Sequence, residues 1–268
     1  MRTIFLIILF GFVVCCMFPI IWTVMTSFKT RADFLVYPPL FVFQPTLENY
    51  MEVFRESDFV KAFGNSIIIC LGVVGCSLLL GVPCAYGLSR FRFKGKGNIA
   101  FLILSMRFAP AVVVLIPMFM IYSKLKLINT YPGMILIYML VNLPLVIWVM
   151  YGFFKDIPKD IEEAGLVDGA APAYIFWRIV TPLVLPGLAA TAILTLIFTW
   201  NELMFALMLT GKDTQTIPLA IYKFLSYTEI SWGPLSASSV IAILPVTVFT
   251  LLCQKYLVSG LTFGALKE

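Results

Sequence analysis

Apolar residues run along this chain for far longer than an amphipathic period would allow. Charged positions cut the sequence into six such runs: Thr3 to Phe28, Ala62 to Ser89, Ile99 to Ser123 with Arg107 inside it, Leu127 to Phe154, Gly187 to Thr210 with Glu202 inside it, and Ile230 to Gln254. A helix rising about 1.5 Å per residue crosses a hydrocarbon layer in roughly 20 residues, so every run can span a bilayer, most of them with some tilt. The pattern predicts an all-α, polytopic membrane protein with six transmembrane helices, forming one transmembrane domain over residues 1–268. The first run exceeds the apolar core of a signal peptide and lacks a small-residue cleavage site, so it is expected to be an uncleaved span.

An even number of spans puts both termini on one side of the membrane. The loop "RFRFKGKGN", Arg90 to Asn98, and the segment Lys155 to Leu185 share that side. Arg90, Arg92, Lys94 and Lys96 crowd the first loop without an acid, the pattern of a cytoplasmic face. Over all loops this orientation puts ten Lys/Arg inside and eight outside, leaving Arg107 in the membrane. Both termini and the 155–185 segment are therefore expected in the cytoplasm, with 29–61, the turn around "KLKLINTYPG" and 211–233 on the opposite side. In "PTLENYMEVF", Thr46 can cap a short helix carrying Leu47, Tyr50, Met51 and Phe54 on one face. Such a segment either folds over the bundle or meets a soluble partner.

Composition narrows the function. Hydrophobic residues make up 61% of the chain and charged residues 12%, too little polar surface to coat a soluble globule. The six cysteines, Cys15, Cys16, Cys70, Cys76, Cys84 and Cys253, all lie in apolar runs without the spacing of a disulfide framework or metal site. A net charge of +5 spread among loops gives no basic tract for nucleic acid. The chain has no histidine, no helical pair of metal ligands and no G-x-x-x-x-G-K-[ST] phosphate loop; "TGKDT" lacks the upstream glycine.

One polar loop stands out. From Asp156 it reads "DIPKDIEEAGLVDGAAPAYIFWRIVTPLVLP". Asp156 is placed to cap, Pro158 suits a first helical turn, and Asp160, Glu162 and Glu163 lie where the helix dipole favours negative charge. A helix is expected from about Pro158 to Val167, broken at Asp168-Gly169 because glycine supplies the left-handed backbone of a sharp turn. Pro172 restarts a second helix with Ala173, Phe176, Trp177 and Val180 on one stripe, ending at Pro182. The product is a helical hairpin with small residues, Ala164, Gly165, Gly169 and Ala170, at its tip. A net charge of minus two over Lys155 to Leu185 argues against a role in hugging anionic lipid.

These residues resemble the EAA loop of ABC importer permeases, whose pattern is Glu-Ala-Ala, three residues, Gly, nine residues, Ile-x-Leu-Pro. Glu163-Ala164-Gly165, Gly169, Ile179 and Pro182 match it, with Gly165 standing for the second alanine and Thr181 for the leucine. Resemblance extends over nearly the whole chain, in "PTLENY", "IPMF", "NLPLVIWVMYGFF", "DGA", "TPLVLPG", "TWNELMFAL", "TIPLAI" and "LVSGLTFGALKE", and is similar to the carbohydrate branch, near the smaller permease subunit of maltose-type transporters. The resemblance implies a non-catalytic subunit of a bacterial or archaeal inner-membrane importer. Its implied partners are a second homologous permease, a dimer of cytoplasmic ATPase subunits, an extracytoplasmic solute-binding protein and a sugar, polyol or sugar-derivative substrate. No cofactor is expected in this chain, since ATP and Mg would be bound by the ATPase. The resemblance further implies that Glu163, Ala164, Gly165, Asp168, Gly169, Ala170 and Phe176 couple to a cleft of that ATPase, Glu163 meeting a basic residue there, and that the C-terminal tail reaches the ATPase dimer.

Two ionisable residues sit inside predicted spans, Arg107 roughly 13 Å and Glu202 roughly 24 Å from the cytoplasmic ends at about 1.5 Å per residue, and each should face a cavity or partner rather than lipid. Pro110 frees the carbonyl of Met106 and predicts a kink beside Arg107. In "TWNELMF", Trp200, Asn201 and Glu202 combine an aromatic face with hydrogen-bonding groups, which a hydroxyl-rich solute in passage needs; a buried polar network fixing helix packing is the competing explanation. Arg107, Trp200, Asn201 and Glu202 are thus the candidate pathway residues. An ion-coupled secondary transporter using Arg107 and Glu202 is the alternative function, although no internal repeat around a midplane site is evident. A membrane enzyme is disfavoured, because no carboxylates cluster at one membrane depth.

Overall fold

The computed structural model describes residues 2–34, 36–55, 57–225 and 230–262. Helices dominate: α1 Arg2–Ser27, α2 Glu48–Arg55, α3 Ser57–Arg90, α4 Lys96–Ser105, α5 Ala111–Lys124, α6 Tyr131–Asp156, α7 Asp160–Val167, α8 Pro172–Leu183, α9 Leu185–Trp200, α10 Met204–Leu209, α11 Ile217–Tyr222 and α12 Trp232–Thr262. The only β pairing among the described residues is an isolated bridge between Leu225 and Ile230. Four helical stretches, Ile4–Ser27, Asp58–Arg90, Tyr131–Asp156 and Trp232–Gln254, are long and apolar enough to cross a membrane; counting two bent helix pairs as one span each makes six. The protein is an all-α polytopic membrane protein.

The expected third run is a broken helix, and the expected fifth run, Gly187 to Thr210, is interrupted after Trp200. Lys96–Phe108 and Ala111–Lys124 meet at 95°. The cause is local: Ala109 is extended (φ −64°, ψ 122°), as the ring of a following proline demands, and Pro110 continues extended at ψ 128° before α5 begins. The anticipated kink is therefore a full corner. Pro172–Leu183 and Leu185–Trp200 meet at 77°, a bend that separates the hairpin's second arm from the span, near the Pro182 end that the sequence predicts. The fifth run also ends at Trp200, ten residues short of the expected Thr210. Past Trp200 the Glu202 carboxylate accepts the amides of Met204 (3.0 Å) and Phe205 (3.1 Å), which starts α10 afresh instead of extending α9.

The chain forms two compact units, Met1–Gly64 with Gln215–Pro245 and Asn65–Thr214 with Val246–Glu268. In the first, Asn49 on α2 donates to the carbonyls of Ser27 (2.9 Å) and Lys29 (2.8 Å), tying α2 to the end of α1. Thr46 caps α2 as its sequence predicts, its hydroxyl accepting the Glu48 amide at 3.1 Å. The expected apolar stripe of α2 is divided: Leu47, Met51 and Phe54 are exposed, whereas Tyr50 is half-buried, its hydroxyl 2.7 Å from that of Ser27, beside buried Asn49 and Val53. The ammonium of buried Lys29 lies over the Trp22 ring at 4.2 Å. A cavity of about 460 Å³ beside these residues is lined by Arg31, Phe34, Asn49, Glu52 and Trp232.

In the second unit, glycines of α3 let α6 come close. A methyl group at Gly72 would sit 2.6 Å from Ile135, and one at Gly81 would sit 2.6 Å from Val146. Against α6 also lies α9, whose buried Thr191, Thr195 and Thr199 each return a hydroxyl to the carbonyl four residues back, at 2.7, 2.8 and 2.7 Å. That bond satisfies the hydroxyl within its own helix, so a polar stripe can sit in an apolar interface. Asn142 of α6 reaches across it, donating to the Thr199 hydroxyl at 3.3 Å.

Candidate functional site

The loop between α6 and α9 folds as a hairpin. Asp156 does not cap its first helix; it is the last residue of α6, and α7 begins at Asp160 without a side-chain cap. The turn after Val167 has the Gly169 backbone at φ 78°, with the Ala170 amide donating to the Gly165 carbonyl and the Gly169 amide to the Leu166 carbonyl, both at 3.0 Å. This paired closure satisfies the carbonyls that α7 leaves open and fixes the angle at which the chain returns.

The return helix α8 is not uniformly α. Ile175–Val180 is wound as a π-helix, and both the amide and the hydroxyl of Thr181 donate to the Phe176 carbonyl, five residues back. The wider winding rotates the stripe: Ile175, Phe176 and Val180 are buried, whereas Trp177, expected among them, is 51% exposed. Phe176 packs between Tyr86 of α3 (centroids 4.7 Å apart) and Phe154 of α6 (6.3 Å). It anchors the hairpin to the spans and is not at the tip. Gly165 is buried too, and a methyl there would approach Ile175 and Ile179 to 3.2 Å. Its smallness is used between the two arms of the hairpin.

What the tip exposes is Glu163, Ala164, Leu166, Val167, Asp168 and Gly169, with Ala170 half-buried. Leu166 is 54% and Val167 87% exposed, so an apolar edge flanked by two acids projects from an anchored base. The adjacent glutamate, Glu162, does not join that edge. Its carboxylate pairs with Arg90 and accepts the Tyr86 hydroxyl at 2.8 Å. Sequence reasoning missed this pairing, although Arg90 at the end of a span and a second glutamate beside the motif were the available signals.

The four candidate pathway residues fall into different environments. Arg107 lies in a 3-10 turn before the α4–α5 corner; its Nη1 donates to the Val141 carbonyl at 3.2 Å and its guanidinium stacks over Phe198 at 4.5 Å. Trp200 is 6% exposed, so its ring is packed inside the protein and offers no open stacking face. Asn201 is exposed and donates to the Ile197 carbonyl at 2.8 Å. The Glu202 carboxylate is occupied by the first amides of α10, while its carbonyl accepts the Tyr138 hydroxyl at 3.3 Å. Asn201 and Glu202 thus shape a break in the fifth run, and Arg107 marks a break in the third. The Asn142 and threonine stripe joins α6 to α9 below that break; threonines spaced by four in "GLAATAILTLIFTW" were its only trace in the sequence.

With this geometry in hand, the family follows from comparison. Residues 77–262 match the model of the binding-protein-dependent transport system inner membrane component, and the chain belongs to that family. It is 38% identical to the trehalose/maltose transport system permease protein MalG of Thermococcus litoralis, over 95% of this chain and 92% of that protein. To the sulfoquinovosyl glycerol transport system permease protein SmoH of Agrobacterium fabrum it is 34% identical, over 94% and 89% respectively. A chain of a bacterial ABC transporter that imports the acidic polysaccharide alginate shares its fold, with a TM-score of 0.80 at 24% identity over 95% of both chains. The protein is accordingly a membrane permease subunit of a binding-protein-dependent ABC transporter, which disfavours the ion-coupled alternative.

Proposed function

We infer that this subunit forms half of the translocation pathway of an importer for a sugar or sugar derivative, and that its 155–185 hairpin docks in a groove of a separate ATPase. The observation that carries this reading is the exposed Leu166–Val167 edge, flanked by Glu163 and Asp168, on a hairpin whose base is buried against α3 and α6. Exposed apolar groups at the end of a projection whose base is held by buried packing fit a protein groove better than solvent. The acids suit a basic partner residue. Relatives named for trehalose, maltose, diacetylchitobiose and sulfoquinovosyl glycerol support a carbohydrate substrate.

In this reading the hairpin and both termini are cytoplasmic, and 29–61 and 211–233 face the solute-binding protein. A second permease subunit supplies the other half of the pathway. ATP and Mg are held by the ATPase dimer, whose closure moves the hairpin and shifts the bundle between two access states. Asn201 and Arg107 would meet the solute at the breaks of their spans, with Trp200 supporting from behind and Glu202 holding the turn. The C-terminal tail expected to reach the ATPase ends in residues 263–268, which lie outside the described residues.

The docking is tested with Val167→Cys in a background lacking the six native cysteines, in the assembled complex with a bifunctional thiol reagent. An adduct with the ATPase, changing in yield between nucleotide-free and ATP-bound states, is the expected result. An intact complex that gives no adduct would refute the docking.

A further inference from the structure

The two adjacent glutamates of the hairpin have opposite surroundings. Glu163 is exposed. Glu162 turns inward, one carboxylate oxygen accepting from Nε of Arg90 and the other from the Tyr86 hydroxyl at 2.8 Å. Arg90 also donates through Nη2 to the Ile157 carbonyl at 3.0 Å. The side chains of Arg90 and Glu162 are only 8% and 13% exposed.

This placement joins three elements. Arg90 is the last residue of α3, Ile157 follows α6 directly, and Glu162 lies in the first turn of α7. The Tyr86 ring packs against Phe154 of α6 at 5.4 Å and Phe176 of α8 at 4.7 Å. Of the eight residues of α7 only Gly165 is buried, packed against Ile175 and Ile179 of its hairpin partner α8. Glu162 links α7 to α3 directly. A guanidinium–carboxylate pair braced by a second hydrogen bond on each partner is directional and short-ranged, so it can transmit displacement.

We propose that Arg90, Glu162 and Tyr86 form a latch that makes the hairpin and the second span move as one body, and that they are positioning residues for energy coupling. This rests on the reading that the hairpin docks on the ATPase. Glu163 meets the partner; Glu162 carries the resulting motion into α3. Without the latch, α7 and α8 still pack through Gly165, Ile175 and Ile179, and α8 keeps its buried aromatic contact with α3, so the hairpin persists while α7 loses its polar tie to the end of α3.

The test uses the complete transporter in liposomes, with binding protein present, and measures solute imported per ATP hydrolysed alongside the Val167→Cys adduct yield. Glu162→Gln and Arg90→Gln are expected to lower solute per ATP about tenfold, with hydrolysis and adduct yield retained. The exchange Arg90→Glu with Glu162→Arg is expected to recover part of the loss. An unchanged ratio in both single variants at normal adduct yield overturns the latch and leaves docking intact. Absence of an adduct in the otherwise wild-type complex overturns docking, and the latch with it. If the charge variants fail to assemble, Tyr86→Phe, which removes one hydrogen bond and keeps the ring, carries the test: a lowered ratio supports the latch and an unchanged one overturns it.

Discussion

Gly165 and Gly169 lie four residues apart in one loop and are small for unrelated reasons. At Gly169 the backbone occupies the left-handed region, φ 78°, with open space around the missing side chain. Gly169→Val is therefore expected to strain the turn by about 1–2 kcal/mol without any clash, read as faster proteolysis at 167–170 and lower uptake at normal subunit level. At Gly165 the limit is space instead. A methyl would stand 3.2 Å from the flexible ends of Ile175 and Ile179, while alanine gains about 1 kcal/mol of helix propensity over glycine. Gly165→Ala, the residue of the related motif, is thus expected to leave the same two readouts unchanged, and a loss comparable to that of Gly169→Val would contradict it. The sequence allowed both glycines to be found but not told apart, because turn chemistry is local whereas the contact with α8 depends on a π-wound helix ten residues on. The same limit applies to Glu162 and Glu163. Neighbours in a charged run look alike until Arg90, 72 positions earlier, is brought beside one of them.

Whole elements were legible wherever hydrophobic length alone decided them. The four unbroken spans lie close to where the apolar runs put them, since a long uninterrupted run has few alternatives to a helix. The right-angled corner in the third run and the interruption of the fifth after Trp200 were not legible. A proline inside an apolar run is compatible with a gentle kink or a right-angled corner, and only the packing around it selects between them; α1, α3, α6 and α12 carry Pro19, Pro83, Pro144 and Pro245 within continuous helices. The start of α9 shows what holds a corner in place. A methyl at Gly187 would lie 2.5–2.7 Å from the Phe153 ring. A rigid aromatic cannot yield as an isoleucine tip can. Gly187→Ala is expected to force α9 from α6 at a cost of about 1–3 kcal/mol, measured as a lower melting temperature of the purified complex. A melting temperature equal to wild type would show that Phe153 has room to turn.

At the scale of the molecule, family membership and fold agree that this chain is a component and not a machine. Its broken spans bring polar groups to their corners, its hairpin ends in an unpartnered apolar edge, and α1 contributes the extreme case: within the most apolar stretch of Ile4–Ser27, no residue is buried by the rest of the polypeptide. A helix so bare is retained in the bilayer by lipid, and its own chain holds it only near its C-terminal end, through Trp22 and Ser27. Made alone, the subunit is expected to insert and then disappear, with a shorter half-life in pulse-chase labelling than when the second permease proposed above is co-produced. Equal half-lives would mean that lipid suffices. If the proposed pairing holds, the bare first helix turns stoichiometry into a matter of survival: a cell that overproduces one half of the pair would gain no spare parts, because each surplus copy would advertise an unclaimed greasy flank to the proteases that police the membrane.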